Sequence, residues 1–517
     1  MKGQLGTRRR NAATTSLLLL LSPLLLSYAQ ATPTPQTLHA CSDIVDALPA
    51  GRVAYPGDLA YRDETASYWS TALREVEPAC VVRPTAAGEV AAVVSVLNAH
   101  PDVTFAVKSG GHDPNPGHAT AQDGVLVATR QIAGATYDAG SGIASVGPGG
   151  EWNDVIGDLE PYGVTIVGGR LGVVGVGGYL LQGGISFLSA QYGLAADNIV
   201  GWEVVMANGS VVNVDAEAHP DLAVAMRGSG SQFGIVTQFK VQAYPISKVW
   251  GGYRFFTADK DDELYAALHS FIPYAREDPK AAIIHTTLLT VGSTESHIIF
   301  FFYDGEKPPA EGPFADYMNV LPLADITSVK NYSSLLKANG DASAILNARI
   351  SFRTYTIPYI PSQPGIYAEI RDKWRSVTTA YLNDPLHLTS QCSVDFQPFP
   401  SAIGQRSEAA GGNAMGLRGS DPDRLVLELQ CSWPDPAHDA EMYELSREMT
   451  SWLDEAVPRW LGNEGGEGEL YLPYLMNDAQ ADQNVTGSYR DYARFAALQR
   501  EVDPRGLFRT RAGGFKY

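Results

Sequence analysis

The sequence lacks the motifs that mark several common enzyme chemistries. Its 517 residues include only four cysteines, with no Cys-x-x-Cys pair, and its ten histidines form no His-Glu-x-x-His motif, so no metal site is expected. A Gly-x-x-x-x-Gly-Lys-Ser/Thr loop is missing, which excludes a P-loop nucleotide hydrolase. Neither a Gly-x-Ser-x-Gly nucleophile elbow nor a nicotinamide-type Gly-x-Gly-x-x-Gly fingerprint is present.

Positive charge is also scarce. The chain has 38 lysines and arginines against 57 acidic residues, which gives a formal net charge of −19. Such a surface repels phosphate backbones and anionic lipid, so we expect no nucleic-acid partner and no membrane partner. A neutral or cationic small molecule is a more compatible partner, although excess carboxylates also keep a secreted protein soluble without any bearing on its substrate.

Long apolar runs are absent except at the amino terminus. There, Arg8, Arg9 and Arg10 precede an apolar run from Leu17 to Leu26, which is too short to span a bilayer comfortably. Small residues follow at positions 29–31, so residues 1–31 are predicted to be the signal peptide of a secreted protein. Asn-x-Ser/Thr sequons that fit this route, and glycosylation along it, begin at Asn208, Asn331 and Asn484.

The four cysteines fall into two groups. Cys41 and Cys80 lie near the start of the mature chain, and in an oxidising compartment we expect them to pair and hold that terminus in place. Cys392 and Cys431 lie in two strand-like segments far down the chain. From the sequence, this second pair is either bridged or merely buried.

The hydrophobic pattern predicts two structural modules. Residues 79–244 alternate short β-rich runs with helical ones, as an α/β domain does, and Asn208-Gly209 predicts a hairpin turn. Beyond Pro245 the predicted strands are longer and lie between long helices, which indicates an α+β module on an antiparallel sheet. The main predicted elements of this second module are strands Ala281–Val291, Ser296–Tyr303, Ala344–Thr356, Thr389–Phe396 and Arg424–Trp433, and helices Asp261–Arg276, Gly365–Leu382 and His438–Trp460.

Glycine is concentrated in one part of the chain. Residues 108–184 hold 20 of the 51 glycines. Because glycine has no Cβ, glycine-rich loops let backbone N–H groups approach a ligand closely. Three such runs, beginning at Lys108, Val167 and Arg227, predict a long, flat, phosphorylated ligand lying against the backbone, and a flavin dinucleotide has that shape.

The order of these motifs resembles the berberine bridge enzyme-like oxidoreductases of the vanillyl-alcohol oxidase superfamily. The resemblance extends over nearly all of the chain after residue 40. It rests on Ser109-Gly110-Gly111-His112, Gly175-Val176-Gly177-Gly178, Gly183-Gly184-Ile185-Ser186-Phe187, Tyr192 to Asn198, Phe233-Gly234-Ile235-Val236-Thr237, Gln397-Pro398-Phe399-Pro400, Asn477-Asp478-Ala479, Asp503 to Phe508 and Gly513 to Lys516.

The resemblance implies an FAD cofactor and the residues that bind it. His112 matches the histidine that such enzymes join covalently to the flavin 8α-methyl carbon. Relatives with a second covalent link have a cysteine near the position of Leu171, and no cysteine lies between Cys80 and Cys392, so we expect a link through His112 only. The implied cofactor-binding residues are Ser109, Gly110, Gly111, His112, Gly117, Gly177, Gly178, Gly183, Gly184, Ile185, Asn198, Gly234, Ile235, Val236 and Asn477.

The catalytic base is predicted less directly. Sugar-oxidising members of the family have tyrosines two residues before and one residue after the asparagine that matches Asn477, where this chain has Leu475 and Asp478. Asp478 is the first candidate for the group that takes a proton from the substrate. Asp395 and Tyr474 are weaker candidates. For Tyr474, the reason is that a one-residue shift along a strand would turn its side chain to the opposite face.

The predicted fold class is α+β with two domains. A PCMH-type FAD-binding α/β module at residues 40–245 is completed by the tail at residues 469–517, and residues 246–468 form a substrate domain on an antiparallel sheet. The signal peptide predicts a secreted protein, and the resemblance implies an oxidase that acts on a small organic molecule at a C–OH or C–N centre, with molecular oxygen as acceptor. The alternatives are an oligosaccharide oxidase and a non-redox, flavin-scaffolded cyclase or binding protein.

Overall fold

The computed structural model describes residues 32–343, 347–462 and 470–517. The predicted signal peptide and the predicted boundary at residues 468 and 469 lie outside these ranges. Within them, every helix is too short or too polar to cross a membrane.

A small sheet begins the chain. Its strands lie in the order β1-β2-β4-β3, with β2 and β3 both parallel to β4. Helix α3 buries Val90, Val93, Val94 and Leu97, which the sequence places at helical spacing. The elements of this part are β1 (Val53–Ala54), β2 (Cys80–Val82), β3 (Phe105–Lys108), β4 (Val125–Ala128), α1 (Pro35–Ala47), α2 (Leu59–Ala66) and α3 (Ala87–Ala99).

A second sheet follows in the order β5-β6-β10-β8-β9, with β7 also paired to β10. The predicted hairpin is confirmed, since β8 and β9 pair antiparallel around Gly209, which has a φ of +84°. The elements are β5 (Ala135–Asp138), β6 (Ile143–Val146), β7 (Val164–Ile166), β8 (Ile199–Val205), β9 (Val211–Val214), β10 (Ile235–Pro245), α4 (Trp152–Leu159), α5 (Val176–Leu181), α6 (Ser189–Tyr192) and α7 (Pro220–Met226).

The third sheet is antiparallel, as predicted, in the order β14-β11-β13-β12-β17-β18-β16, with β15 paired to β11. Its strands are β11 (Val249–Thr257), β12 (Ala281–Thr290), β13 (Thr294–Tyr303), β14 (Ala324–Asp325), β15 (Ser328–Lys330), β16 (Arg349–Pro358), β17 (Gln391–Phe399) and β18 (Arg424–Trp433). Its helices are α8 (Asp261–Glu277), α9 (Ala315–Asn319), α10 (Tyr332–Ser343), α11 (Ile366–Leu382), α12 (Ser401–Ala409) and α13 (Asp439–Leu461). The mixture of helices with antiparallel sheets gives an α+β, two-domain fold.

The two faces of the third sheet pack differently. Helices α8, α11 and α13 cover one face through Leu268, Trp374 and Leu453. The other face joins the core of the second sheet, where the Phe187 ring stacks on those of Phe300 and Phe302 at centroid distances of 4.7 and 5.0 Å. This second face is therefore the one turned toward the glycine-rich loops.

The tail returns to the first sheet. Helices α14 (Tyr492–Val502) and α15 (Leu507–Arg511) follow the last loops, and Ala512 bridges to Phe105 of β3. Arg511 donates to the carbonyl oxygens of Leu97, His100 and Val103 at 2.8–2.9 Å. These bonds fix the end of the chain beside the first glycine-rich loop.

Both cysteine groups form disulfides. Cys41 is bonded to Cys80, as predicted, and ties α1 to β2. Cys392 is bonded to Cys431, its direct partner across β17 and β18, which decides between the bridged and buried alternatives.

Candidate active site

A cavity of about 290 Å³ lies where the glycine-rich loops meet the third sheet and the tail. Its walls come from the loop after β3, the loop leading into α5, the segment before β10, and strands β16 and β18. Ser109 ties the first two together, because its hydroxyl donates to the Pro148 carbonyl at 2.6 Å and accepts from the Gly177 N–H at 3.2 Å.

The predicted cofactor residues fall into two layers. Lining the cavity are Ser109, Gly110, Gly111, His112, Gly177, Gly178, Gly234, Ile235, Val236 and Asn477. Outside its lining are Gly117, Gly183, Gly184, Ile185 and Asn198. The outer layer supports the inner one, since the Gly184 N–H donates to Asn477 Oδ1 at 2.8 Å and fixes that side chain. Asn198 instead ties backbone together, donating to the Tyr192 and Leu194 carbonyls.

His112 presents an unpaired nitrogen. Its Nε2 is buried and has no hydrogen-bond partner among the described residues. The ring stacks on Trp69 at a centroid distance of 4.0 Å and an interplanar angle of 13°. Burial lowers the pKa of His112 to about 4, against the weaker opposing effect of Asp113, so the ring is neutral at neutral pH. A neutral imidazole nitrogen is a nucleophile.

Three carboxyl groups gather near strands β17 and β18. Glu428 lines the cavity from β18 and lies directly across from Asp395 of β17, while Asp478 reaches the cavity from the tail. Gln397 Nε2 donates to Asp478 Oδ2 at 2.9 Å, and Gln397 Oε1 accepts from Arg170. The three carboxyls therefore share one small region with one guanidinium.

The environment separates the pKa values of these carboxyls. Burial raises the pKa of Asp478, while Arg170, Gln397 and Glu428 oppose that shift. Burial and the charges of Asp478 and Asp395 raise the pKa of Glu428 well above its usual range. The hydrogen bond between the two carboxyls raises the pKa of Glu428 and lowers that of Asp478, so a proton held by this pair lies on Glu428. Burial also raises the pKa of Asp395 to about 6, although Thr286 and Ser393 donate to it.

Of the three predicted catalytic residues, only Asp478 lines the cavity. Asp395 lies beside Glu428 on the neighbouring strand, outside the lining and 8% exposed. Tyr474 lies outside the lining, with its ring 5.8 Å from that of Tyr355 and its N–H bonded to Ser488. The segment is not the strand that the alternation argument assumed: Met476–Asp478 is a 3-10 turn, which brings Asn477 and Asp478 to the same cavity.

Comparison with known proteins shows relatives over nearly the whole chain. Residues 78–215 match the FAD binding domain family. An uncharacterized FAD-linked oxidoreductase of Arthroderma benhamiae is 34% identical over 471 residues, covering 90% of this chain and 92% of the relative. An FAD-dependent monooxygenase of Aspergillus calidoustus is 30% identical over 491 residues, covering 92% and 90%.

The chain belongs to the FAD-linked oxidoreductases.

Two solved structures share the fold of this FAD-linked oxidoreductase. The 6-hydroxy-D-nicotine oxidase of Arthrobacter nicotinovorans superposes with a TM-score of 0.70 at 24% identity, covering 90% of this chain and 97% of that one. The BBE-like 1 protein of Physcomitrella patens gives 0.71 at 19% identity, covering 92% and 98%.

The cavity of this FAD-linked oxidoreductase fits its cofactor. A Cβ on Gly110 would lie 2.6 Å from Gly175 backbone atoms, so the two glycine loops can approach this closely only without side chains. A Cβ on Gly178 would meet nothing within 4 Å and would project into free space at the cavity wall. With the unpaired Nε2 of His112 on the same cavity, the described residues offer backbone for a dinucleotide and a nitrogen for its ring system.

Sequence reasoning missed four residues of this site. Glu428 stands alone as an acid in the strand Arg424–Trp433, and a lone acid in a predicted buried strand was the available signal. Gln397 lies within a motif that the family resemblance includes. Trp69 and Arg170 give no comparable signal, since their contacts with His112 and Gln397 depend on the tertiary fold.

Proposed function

We propose that this protein is a secreted oxidase that removes hydride from a C–OH or C–N centre of a small organic molecule, using FAD linked covalently through His112 alone. The observation that carries the proposal is the single cavity in which the unpaired Nε2 of His112 and the Glu428–Asp478 carboxyl pair both lie. When bound, FAD supplies the two-electron acceptor for the hydride.

The proposed linkage rests on the state of His112. Its ring is neutral, held by Trp69, and free at Nε2, so the lone pair of that nitrogen is available to form one covalent bond. Leu171 lines the cavity where doubly linked relatives have a cysteine, and a leucine side chain cannot form the second bond. We expect acid precipitation to release the flavin from His112→Ala but not from the unchanged protein. Retention of flavin by the variant would contradict the assignment.

The proposed proton acceptor is the Glu428–Asp478 pair. An ionised Asp478 can take the proton of a substrate hydroxyl or amine, while the protonated Glu428 donates a hydrogen bond to it. Because two interacting carboxyls titrate as a unit, the pair passes from one proton to two in this step. Gln397 and Arg170 keep the Asp478 carboxylate in place.

A substrate screen tests the activity. We would offer primary and secondary alcohols, amines and oligosaccharides, with hydrogen peroxide as the readout and anaerobic bleaching of the flavin as the confirmation. Peroxide formed from simple alcohols or amines supports the proposal, and turnover of oligosaccharides alone replaces it with a sugar oxidase. Absence of bleaching with every compound would favour the non-redox scaffold.

A variant pair tests the proton acceptor. With the best substrate, Asp478→Asn should slow flavin reduction by about 10²- to 10⁴-fold, the usual contribution of a general base. Glu428→Gln keeps a neutral hydrogen-bond donor for Asp478, so it should lose less activity, and the titration of Glu428 should disappear from the pH profile. The reverse ranking would assign the base to Glu428.

The name of the Aspergillus calidoustus relative makes monooxygenation the second candidate. Turnover under ¹⁸O-labelled dioxygen distinguishes the two. An oxidase passes the label to hydrogen peroxide, and a monooxygenase inserts it into the product.

The compartment and domain limits are part of the same proposal. Two disulfides fit an oxidising compartment, and the sequon residues Asn208, Asn331 and Asn484 are all exposed. Protein sequencing of the secreted product should begin after residue 31, and an intact Arg8–Arg10 segment would exclude the signal peptide. The proposed modules are residues 40–245 with 469–517 for FAD, and residues 246–468 for substrate.

A further inference from the structure

Two histidines that are far apart in sequence meet in the third-sheet part of the protein. His387 follows α11, and His438 ends the short turn Pro436–His438 that precedes α13. Their Nε2 atoms lie 3.3 Å apart. Both rings are partly exposed, and neither lines the cavity of the active site.

The second nitrogen of each ring has a fixed acceptor. His387 Nδ1 lies 2.8 Å from the Tyr381 carbonyl oxygen, and His438 Nδ1 lies 3.1 Å from Glu441 Oε2. A carbonyl or a carboxylate oxygen only accepts, so both Nδ1 atoms must carry the proton. A neutral imidazole has one N–H, so both Nε2 atoms carry lone pairs, and the two rings meet edge to face with centroids 4.5 Å apart. Two lone pairs this close repel each other unless they share a cation, either one further proton or a metal ion.

The separation of the two nitrogens matches a metal ion. Zinc binds histidine nitrogen at about 2.0–2.1 Å in tetrahedral sites, which separates two such nitrogens by about 3.3–3.4 Å. Metal-binding histidines typically donate their other N–H to a carboxylate or a backbone carbonyl. His438 has the first arrangement and His387 the second.

The rings are also held in position before any ion binds. The buried Tyr381 ring stacks on His387 at 3.9 Å and meets His438 edge-on at 5.3 Å. We propose that His387 and His438 bind one zinc-like divalent transition-metal ion, with water completing the coordination. The ion would fasten the loop after α11 to the start of α13.

A second group, Asp261, Glu295 and His297, also brings its ligand atoms within 4.8 Å of one another. There, however, Arg371 Nη1 pairs with both Asp261 and Glu295. Because the Arg371 guanidinium already supplies the cation in that cluster, we do not expect the cluster to take up the metal ion in place of the proposed site.

The test uses the full mature protein without a purification tag, loaded with flavin and freed of metal by a chelator. Zn²⁺ is titrated by calorimetry into this protein, into His387→Gln, His438→Gln and Glu441→Gln, and into His219→Gln as the exposed control. We expect one equivalent to bind to the unchanged protein and to the control. Each of the two ligand variants should lose at least tenfold in affinity, and Glu441→Gln about 10- to 100-fold.

Folding is checked in each variant by its thermal midpoint without metal and by its flavin absorbance. A rise in the thermal midpoint on adding Zn²⁺, present in the control and absent in both ligand variants, supports the proposal. Two results overturn it. The first is no Zn²⁺ uptake by the unchanged protein, which assigns the position to a shared proton. The second is Zn²⁺ uptake by the His387 and His438 variants that equals uptake by the unchanged protein. Because the readout is metal binding, neither result bears on the oxidase proposal.

Discussion

For the proposed linkage of FAD through His112, the stack of Trp69 on that ring should control how fast the linkage forms. Trp69 covers one face of the imidazole at 4.0 Å, and its own Nε1 is buried without a partner among the described residues. Removing the indole in Trp69→Ala leaves the imidazole free to rotate and admits water beside it. Both changes reduce the population of rings that present a neutral Nε2.

The size of the effect follows from two terms. An aromatic pair is worth about 0.5–1.5 kcal/mol beyond its burial, so losing it should lower the fraction of correctly oriented rings by about 2- to 13-fold. Water also relieves the burial that holds the pKa of His112 at about 4, and that pKa returns toward 6.5. At pH 5.5 the ring would then be about 90% protonated, which costs about another tenfold. At pH 8 only the orientation term remains.

The assay mixes apoprotein with FAD at pH 5.5 and at pH 8 and measures the flavin retained in acid-precipitated samples over time. The unchanged protein should link FAD at similar rates at both pH values, since His112 is neutral at both. Trp69→Phe, which keeps a stacking ring, should restore much of the rate. Linkage in Trp69→Ala that matches the unchanged protein in rate and pH dependence would refute the positioning role of Trp69.

Three further predictions concern stability and cofactor binding. The pKa of Asp395 is raised from 3.8 to about 6, so protonation of this carboxyl stabilises the fold below pH 4, and about 3 kcal/mol of stability is lost as the pH rises through 6. Denaturant unfolding at pH 4 and pH 7 should show this loss, and the loss should be absent in Asp395→Asn. An unchanged pH dependence of stability in the variant would contradict the prediction. Replacing both Cys41 and Cys80 by serine opens a loop of sequence separation 39 and should cost about 4 kcal/mol, seen as a lower thermal midpoint, while an unshifted midpoint would exclude a stabilising bridge. Gly178→Ala adds a Cβ that meets no protein atom within 4 Å, so the apoprotein should keep its stability and bind FAD more weakly. The control is Gly157→Ala, which is equally uncrowded but lies outside the cavity. Equal FAD affinity in the two variants would contradict the position of Gly178 in the cavity wall.

Much of the fold follows from local pattern. The strand predicted at Arg424–Trp433 has those bounds in the structure, and the helices predicted at Asp261–Arg276 and Gly365–Leu382 differ by one residue at one end. These elements bury long apolar stripes, so the sequence period alone determines them. The glycine-rich loops were predictable for a different reason, because a glycine with a positive φ or a closely approaching backbone has few substitutes.

The catalytic side of the cavity was less predictable because it is assembled from distant segments. The turn Met476–Asp478 is fixed by bonds that local sequence does not contain, among them Gly184 to Asn477 and Gln397 to Asp478. Glu428 was missed because β18 is largely buried, and alternation cannot tell which of its two covered faces opens to a cavity.

The grouping of carboxyls has a consequence for the substrate. Asp113 lines the cavity but is paired with His118, whereas Glu428 and Asp478 have Arg170 as the one permanent cation among the described residues of the lining. With Asp395 next to Glu428 on the neighbouring strand, three carboxyls share that guanidinium, and burial strengthens the repulsion between them. A stable fold gains nothing from such a cluster, so its presence at a cavity favours a chemical role. An anionic substrate would add to the repulsion, and a neutral alcohol or amine that gives up a proton would relieve it, because the proton it leaves on Asp478 cancels one of the charges.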